Sequence, residues 1–289
     1  RRLDVVHINL ASQASTYRKL MIAWLCRLVG TPYVLHLHGG DYEEFWDHQP
    51  GWMSRAIYRM FDSAARIVVL GRVWQAAIAK RVPTAADRIL IVPNASSRPV
   101  LPHRGGGETV RVLFLGRLVA YKGVPQLLEA LHRLRELPGW RATLAGDGEV
   151  EATAAALAGN GLTGRVELPG WVDAQGVAEL IASADILVLP SLIENLPLSV
   201  IEGMAAGLAV IASRVGAVED IVSDGNTGLL VEPGDADGLT AALARLIGDP
   251  ELRRRLGKEA QSFHHAHLDL EAFADTFREF HSGEKDRYS

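Results

Sequence analysis

The stretch Val110-Arg111-Val112-Leu113-Phe114-Leu115-Gly116-Arg117-Leu118-Val119-Ala120-Tyr121-Lys122-Gly123-Val124-Pro125 decides how this chain folds. Its first six residues are largely apolar and read as a buried strand. A loop bracketed by two glycines follows, and Pro125 suits the first turn of a helix. The same strand-loop-helix unit recurs on both sides. Upstream, strands are expected at Val5–Leu10, Tyr33–His38, Arg66–Leu70 and Ile89–Pro93, with helices at Thr16–Val29, Met53–Ala65 and Trp74–Lys80. Downstream, strands are expected at Ala142–Ala145, Val166–Pro169, Ile186–Pro190, Ala209–Ala212 and Gly228–Val231. Helices are expected there at Pro125–Leu137, Val150–Leu157, Val177–Ser183, Leu198–Ala206, Ala236–Ile247, Glu251–His264 and Leu270–His281. Strands alternating with helices in this way predict an α/β protein with parallel sheets. Between the two series, Pro93–Thr109 turns to Pro, Ser, Arg and Gly, a linker composition. Two α/β halves predict a cleft between them, with ligands at the carboxyl ends of the strands.

Composition narrows the function classes. A chain of 289 residues suggests two domains, and its 48% hydrophobic and 22% charged content is that of an ordinary globular protein. The net charge of −4 gives no nucleic-acid footprint. Cys26 is the one cysteine, so no internal disulfide forms and a reducing, cytoplasmic setting is expected. No apolar stretch reaches the roughly 20 residues of a membrane span. No dinucleotide fingerprint, P-loop or zinc-peptidase motif is present.

Two loops carry the candidate chemistry. Arg117 and Lys122 leave a strand's carboxyl end near a helix N-terminus, where cations and oriented N–H groups suit a diphosphate; the alternative is two solvated surface cations. After Ile186–Pro190, Glu194 sits in a loop, Pro197 opens a helix, and Glu202 lies about one turn further in. A carboxylate there can accept hydrogen bonds from vicinal sugar hydroxyls, whereas the bland reading is a helix-start carboxylate plus a surface glutamate.

Taken in order, Gly116–Gly123, Gly146-Asp147-Gly148-Glu149, Pro169-Gly170-Trp171-Val172, Glu194–Glu202 and Gly225-Asn226-Thr227-Gly228-Leu229-Leu230-Val231 resemble the donor-binding lobe of the retaining glycosyltransferases of family 4, the glycosyl transferases group 1. The resemblance implies the GT-B fold, with two Rossmann-like parallel-sheet lobes facing a cleft. The domains expected are a partial acceptor-side lobe over 1–100, a nucleotide-sugar lobe over 108–264, and a helix within 265–289 returning to the first lobe. The implied donor contacts are Gly116, Arg117, Lys122, Gly146, Gly170, Trp171, Leu198, Ser199 and Glu202. Arg117 and Lys122 would hold the diphosphate, Glu202 the ribose, and Glu194 the donor sugar. Upstream, Pro32-Tyr33-Val34-Leu35-His36-Leu37-His38-Gly39-Gly40-Asp41 is similar to the family's His-Gly segment, which implies that His38 contacts the transferred sugar and steadies transition-state charge.

The implied reaction moves a hexose from a nucleotide diphosphate sugar to a glycan, lipid or small-molecule acceptor; UDP is favoured over GDP on family frequency. No metal or other cofactor is expected, and the competing reading of His36 and His38 as a metal pair lacks a third ligand at suitable spacing. Two alternatives are a non-catalytic nucleotide-sugar-binding remnant and a nucleotide-sugar 2-epimerase. The sequence departs from the family at Asn94-Ala95-Ser96-Ser97, where Asn-Gly-Val-Asp is usual, and at Gly216-Ala217-Val218-Glu219, with Ala and Val replacing Gly and Pro. The family also has roughly three strands and a glycine-rich loop ahead of the segment that starts at Leu3, so an incomplete first lobe is expected. His264-His265-x-His267 reads as a solvated connection between the last two helices, with a metal site as the alternative. The Thr16–Val29 helix is expected to pack on its own sheet; peripheral contact with an inner membrane face, through Tyr17, Trp24, Arg18, Lys19 and Arg27, is the alternative.

Overall fold

A computed structural model describes residues 4–271, 273 and 274. They form two compact units: the chain up to Pro93 with Ile193–Leu196, and Asn94–Leu192 with the chain from Pro197. The linker stretch 94–108 thus groups with the second unit.

In the first unit, β1 (Val6–Leu10), β2 (Tyr33–Leu37), β3 (Arg66–Val69) and β4 (Ile89–Ile91) lie side by side in chain order, all parallel. Between them run α1 (Ala14–Val29), α2 (Tyr42–Asp47), α3 (Gly51–Asp62) and α4 (Arg72–Arg81). Every residue of β2 is buried, as a central parallel strand requires. Helix α2 has only six residues, too few for helical periodicity to show in the sequence. Helix α1 presents the small residues Thr16, Ala23 and Cys26 to the interior, while Tyr17 and Trp24 stay exposed. Packing on the sheet and an outward aromatic face therefore coexist on one helix.

The parallel register sets Asn9 opposite His36 and His7 opposite Val34. Three imidazoles gather there. His7 Nε2 lies 3.3 Å from His36 Nδ1, and the His36 and His38 ring centroids are 4.1 Å apart. His36 is 6% exposed. Burial, reinforced by His38 and His7, pushes its pKa down to about 3.

The second unit is a doubly wound sheet. Its elements are β5 (Val110–Leu115), α5 (Val124–Arg133), β6 (Trp140–Ala145), α6 (Val150–Gly159), β7 (Val166–Gly170), α7 (Ala174–Ser183), β8 (Ile186–Leu189), α8 (Leu198–Ala205), β9 (Ala209–Ser213), α9 (Val218–Ile221), β10 (Leu229–Val231), α10 (Ala236–Gly248) and α11 (Pro250–His267). The parallel strands take the order β10-β9-β8-β5-β6-β7. Asp173, Asp235 and Asp249 cap α7, α10 and α11, each side chain accepting from a backbone N–H three residues on. In α9, Ala217 just before it and Val218 at its start are buried, which accounts for apolar residues at that departure from the family pattern.

The histidine cluster near the end corrects its expectation. His264, His265 and His267 lie in the last turn of α11 and form no connection. His264 is fully buried, its Nε2 2.9 Å from Ser96 Oγ, and Arg98 donates to Asp269 at 2.6 Å. The expected helix Leu270–His281 lies mostly outside the described residues.

His36 gives the fold a pH dependence. The unfolded imidazole, near 6.5, binds a proton that the folded one refuses down to about 3. Its contribution to stability is therefore complete above pH 6.5 and is lost as pH falls toward 3, at roughly 1.4 kcal/mol per pH unit. Denaturant titrations at pH 7, 6 and 5 should show His36→Phe losing stability less steeply than the parent by about that slope. Equal slopes in the two proteins would mean that the native ring is protonated.

Candidate active site

The strand order reverses between β5 and β8: chain order runs one way through β6 and β7 and the other through β9 and β10. Adjacent parallel strands whose connections diverge open a crevice at their carboxyl ends, the usual ligand position in open α/β sheets. The loops after β5 and β8 leave from this point, and both sequence-derived motifs of the second unit lie on them.

The β5 loop is held by backbone contacts. Gly116 N–H donates to the Ala145 carbonyl at 3.1 Å, and Leu118 N–H to the Asp147 carbonyl at 2.6 Å. Glu149 N–H returns to the Leu118 carbonyl at 2.8 Å, and Leu192 N–H reaches the Tyr121 carbonyl at 2.8 Å. Two glycines make this approach feasible. A Cβ on Gly146 (φ 157°) would stand 1.9 Å from the Gly116 oxygen, and one on Gly123 (φ 75°) 1.9 Å from the Pro190 oxygen. Both positions forbid a side chain by contact as well as by backbone conformation.

On this loop Arg117 is exposed and pairs with Asp147 at 3.5 Å. Such an exposed pair is worth about 0–1 kcal/mol, so an incoming phosphate can compete for the guanidinium. Lys122 Nζ lies 5.8 Å from the centre of the Tyr121 ring. Gly146 N–H donates to the Gly170 carbonyl at 2.8 Å, which ties those two expected site residues together; the neighbouring Trp171 is exposed.

Helix α8 begins after extended Pro197 with no side-chain cap and no carboxylate in its first turn. The N–H groups of Leu198 and Ser199 are consequently available to an anion. Glu202, in the next turn, is half-buried. No side chain among the described residues bonds or pairs with its carboxylate, and burial raises its pKa. A half-buried carboxylate without a donor favours a ligand that supplies hydroxyls.

The first unit holds the other two candidates. His38 stands at the carboxyl end of β2; its N–H donates to the Leu10 carbonyl at 2.7 Å and its Nε2 lies 3.2 Å from Asn9 Oδ1. Desolvation, then His7, keeps its pKa below the ordinary imidazole value, so it is neutral near pH 7. Glu194 belongs to the four residues that group with this unit. Beside it, Asn195 Nδ2 donates to the Leu37 carbonyl at 3.2 Å, and a Cβ on Gly40 would stand 2.6 Å from the Glu194 oxygen. His38 and Glu194 thus share one strand end, whereas Glu194 and Glu202 fall in different units. Asn9, His7 and Asn195 were not singled out from sequence; the alternation of β1 places His7 and Asn9 on one face, a signal that needed the pairing with β2 to be used. Among the described residues, no three His, Cys, Asp or Glu side chains converge as a metal group, and no helix is long and apolar enough to cross a membrane.

Comparison with known proteins agrees with this layout. The family model for glycosyl transferases group 1 matches residues 103–263, and that for the glycosyl transferase 4-like domain matches residues 1–95. The chain is similar to alpha-D-kanosaminyltransferase of Streptomyces kanamyceticus, 28% identical over 93% of this chain and 74% of that one. It is also similar to the lipopolysaccharide core biosynthesis glycosyltransferase LpsE of Rhizobium meliloti, 34% identical over 57% of this chain and 48% of that one. Among solved structures, Anabaena HepE in complex with UDP matches with a TM-score of 0.82 at 21% identity, over 97% of this chain and 79% of that one. The two Rossmann-like parallel-sheet lobes are those of the GT-B fold. With a family model matched over more than half of its length, the chain belongs to the glycosyl transferases group 1.

Proposed function

We propose that the chain transfers a hexose-type sugar from a nucleotide diphosphate donor, a UDP-sugar, to a glycan, lipid or small-molecule acceptor, with retention of anomeric configuration. The observation that carries this reading is Glu202: a half-buried carboxylate with no side-chain partner among the described residues, one turn into an uncapped helix at the strand reversal. Such a group suits a ribose, whose two hydroxyls both donate to it. Arg117, Lys122 and the N–H groups of Leu198 and Ser199 then hold the diphosphate. Crystallisation of the fold neighbour HepE with UDP supports UDP as the nucleotide.

In this reaction the bond from the anomeric carbon to the diphosphate oxygen breaks, and the acceptor oxygen bonds to the same face of that carbon. The acceptor proton passes to the departing phosphate. Charge accumulates on the diphosphate, where two cations and a helix N-terminus stabilise it. In this reading those groups take the electrostatic role that a metal ion would otherwise fill. His38, neutral and braced by Asn9, contacts the transferred sugar, and Glu194 faces the sugar end of the donor.

Calorimetric titration with UDP and with UDP-glucose tests the assignment. Glu202→Ala should weaken both about tenfold or more, because both carry the ribose and its two hydroxyls together lose about 1–3 kcal/mol with their partner. Arg117→Ala and Lys122→Ala should each weaken UDP by roughly tenfold, since bonds to charged groups are worth about 1.5–3 kcal/mol. Glu194→Ala should leave UDP nearly unchanged and weaken UDP-glucose. The reverse pattern for the two glutamates would remove the donor from this placement. For His38→Ala, turnover should fall far more than donor affinity, as for a contact made mainly in the transition state; turnover within about twofold of the parent would make His38 structural.

A further inference from the structure

The loop between β8 and α8 is fastened in a way that its two glutamates do not explain. Its residues Ile193–Leu196 belong to the first unit, although the strand before them and the helix after them belong to the second. Two contacts hold this piece on the turn that follows β2. The peptide joining Glu194 to Asn195 lies on Gly40, where a Cβ would stand 2.6 Å from the Glu194 carbonyl oxygen and 2.9 Å from the Asn195 nitrogen. The Asn195 side chain reaches the strand end itself, its Nδ2 donating to the Leu37 carbonyl at 3.2 Å. The β2–β3 pairing runs from Val34 to His36, so that carbonyl lies one residue beyond it. His38 is the next residue of the chain.

Stability alone does not favour an amide at position 195. Asn195 is 6% exposed, and its Oδ1 has no hydrogen-bond partner among the described residues. A buried amide oxygen without a donor is destabilising, and an apolar side chain of the same size avoids that loss. What the amide adds is direction. Only its N–H side can face the Leu37 oxygen, so the side chain has one orientation and the residue one place. We propose that Asn195 is a positioning residue: it pins the loop to the end of β2, so that the neighbouring Glu194 is carried beside His38, and Gly40 is bare to admit the peptide that joins the two loop residues. Resting on the reading in which Glu194 and His38 both serve the transferred sugar, this assigns the placement of Glu194 to the strand end of the first unit. Glu202, on α8, is placed independently of it.

Calorimetric titration of the whole chain with UDP and with UDP-glucose tests the proposal through Asn195→Leu, which keeps the volume and removes the donor. UDP-glucose should bind roughly fivefold more weakly, while UDP changes by less than about twofold. The melting temperature should stay within about 3 °C of the parent, because losing the Leu37 contact is offset by losing the unpartnered oxygen. In a Glu194→Ala background, which itself weakens UDP-glucose, the same substitution should add less than about twofold, because it acts through Glu194. Gly40→Ala presses on the same peptide from the other side and should repeat the selective loss of UDP-glucose. Unchanged UDP-glucose binding in Asn195→Leu would make the residue a space-filler and overturn the proposal. Equal weakening of both ligands, full additivity with Glu194→Ala, or no effect of Gly40→Ala would overturn it as well. A Glu194→Ala variant that binds UDP-glucose like the parent is a distinct result: it removes the donor reading itself, and this inference with it.

Discussion

The second unit depends on how closely its loops approach one another at the strand reversal. The Gly116 and Pro190 carbonyls stand where the side chains of Gly146 and Gly123 would be. This interlock ties the connections after β5, β6 and β8 into one rigid edge. Positioning is a large part of what a transferase can contribute to catalysis, and a loop fixed by backbone contact loses little entropy on binding. Arg117 and Lys122 sit on that loop, so the backbone that carries their side chains is held in place.

The titratable groups at the two candidate positions are held in opposite ways. Glu202 is kept half-buried and without a side-chain partner among the described residues, at a cost in stability that a ligand's hydroxyls would offset. His38 is kept neutral by desolvation and by a neighbouring imidazole, with Asn9 beside its Nε2. The buried His36 beneath it carries that logic further, its own pKa driven down by burial among rings that cannot share a second charge. Both arrangements spend local stability on an electrostatic state, a pattern common at functional sites.

Much of this was legible in the sequence, for identifiable reasons. Strand β5 falls on its expected residues Val110–Leu115, because a largely apolar six-residue run closed by glycine leaves little choice of where the strand lies. Arg117, Lys122 and Glu202 were singled out because strand-loop-helix order predicts where a strand's carboxyl end lies, and the structure puts them on the loop after β5 and on α8. The misses share a cause. Helices α2 and α9, of six and four residues, are too short to show a period. The bracing of His38 by Asn9 requires the β1–β2 register, and the grouping of Ile193–Leu196 with the first unit is a tertiary fact. Polarity misled at His264: three histidines suggested a solvated connection, yet α11 continues through them and buries His264 against Ser96. Ser96 stands where the family pattern has valine, so that departure acquires a structural partner.

Hydrogen exchange with and without saturating UDP tests the central claim most directly, since it reports where the nucleotide sits independently of any substitution. Slowed exchange should appear in peptides covering 116–123 and 198–205, where, in the proposed placement, the cations of the β5 loop and the first N–H groups of α8 would meet the diphosphate. Protection confined to other segments, with those two unchanged at saturation, would contradict the account.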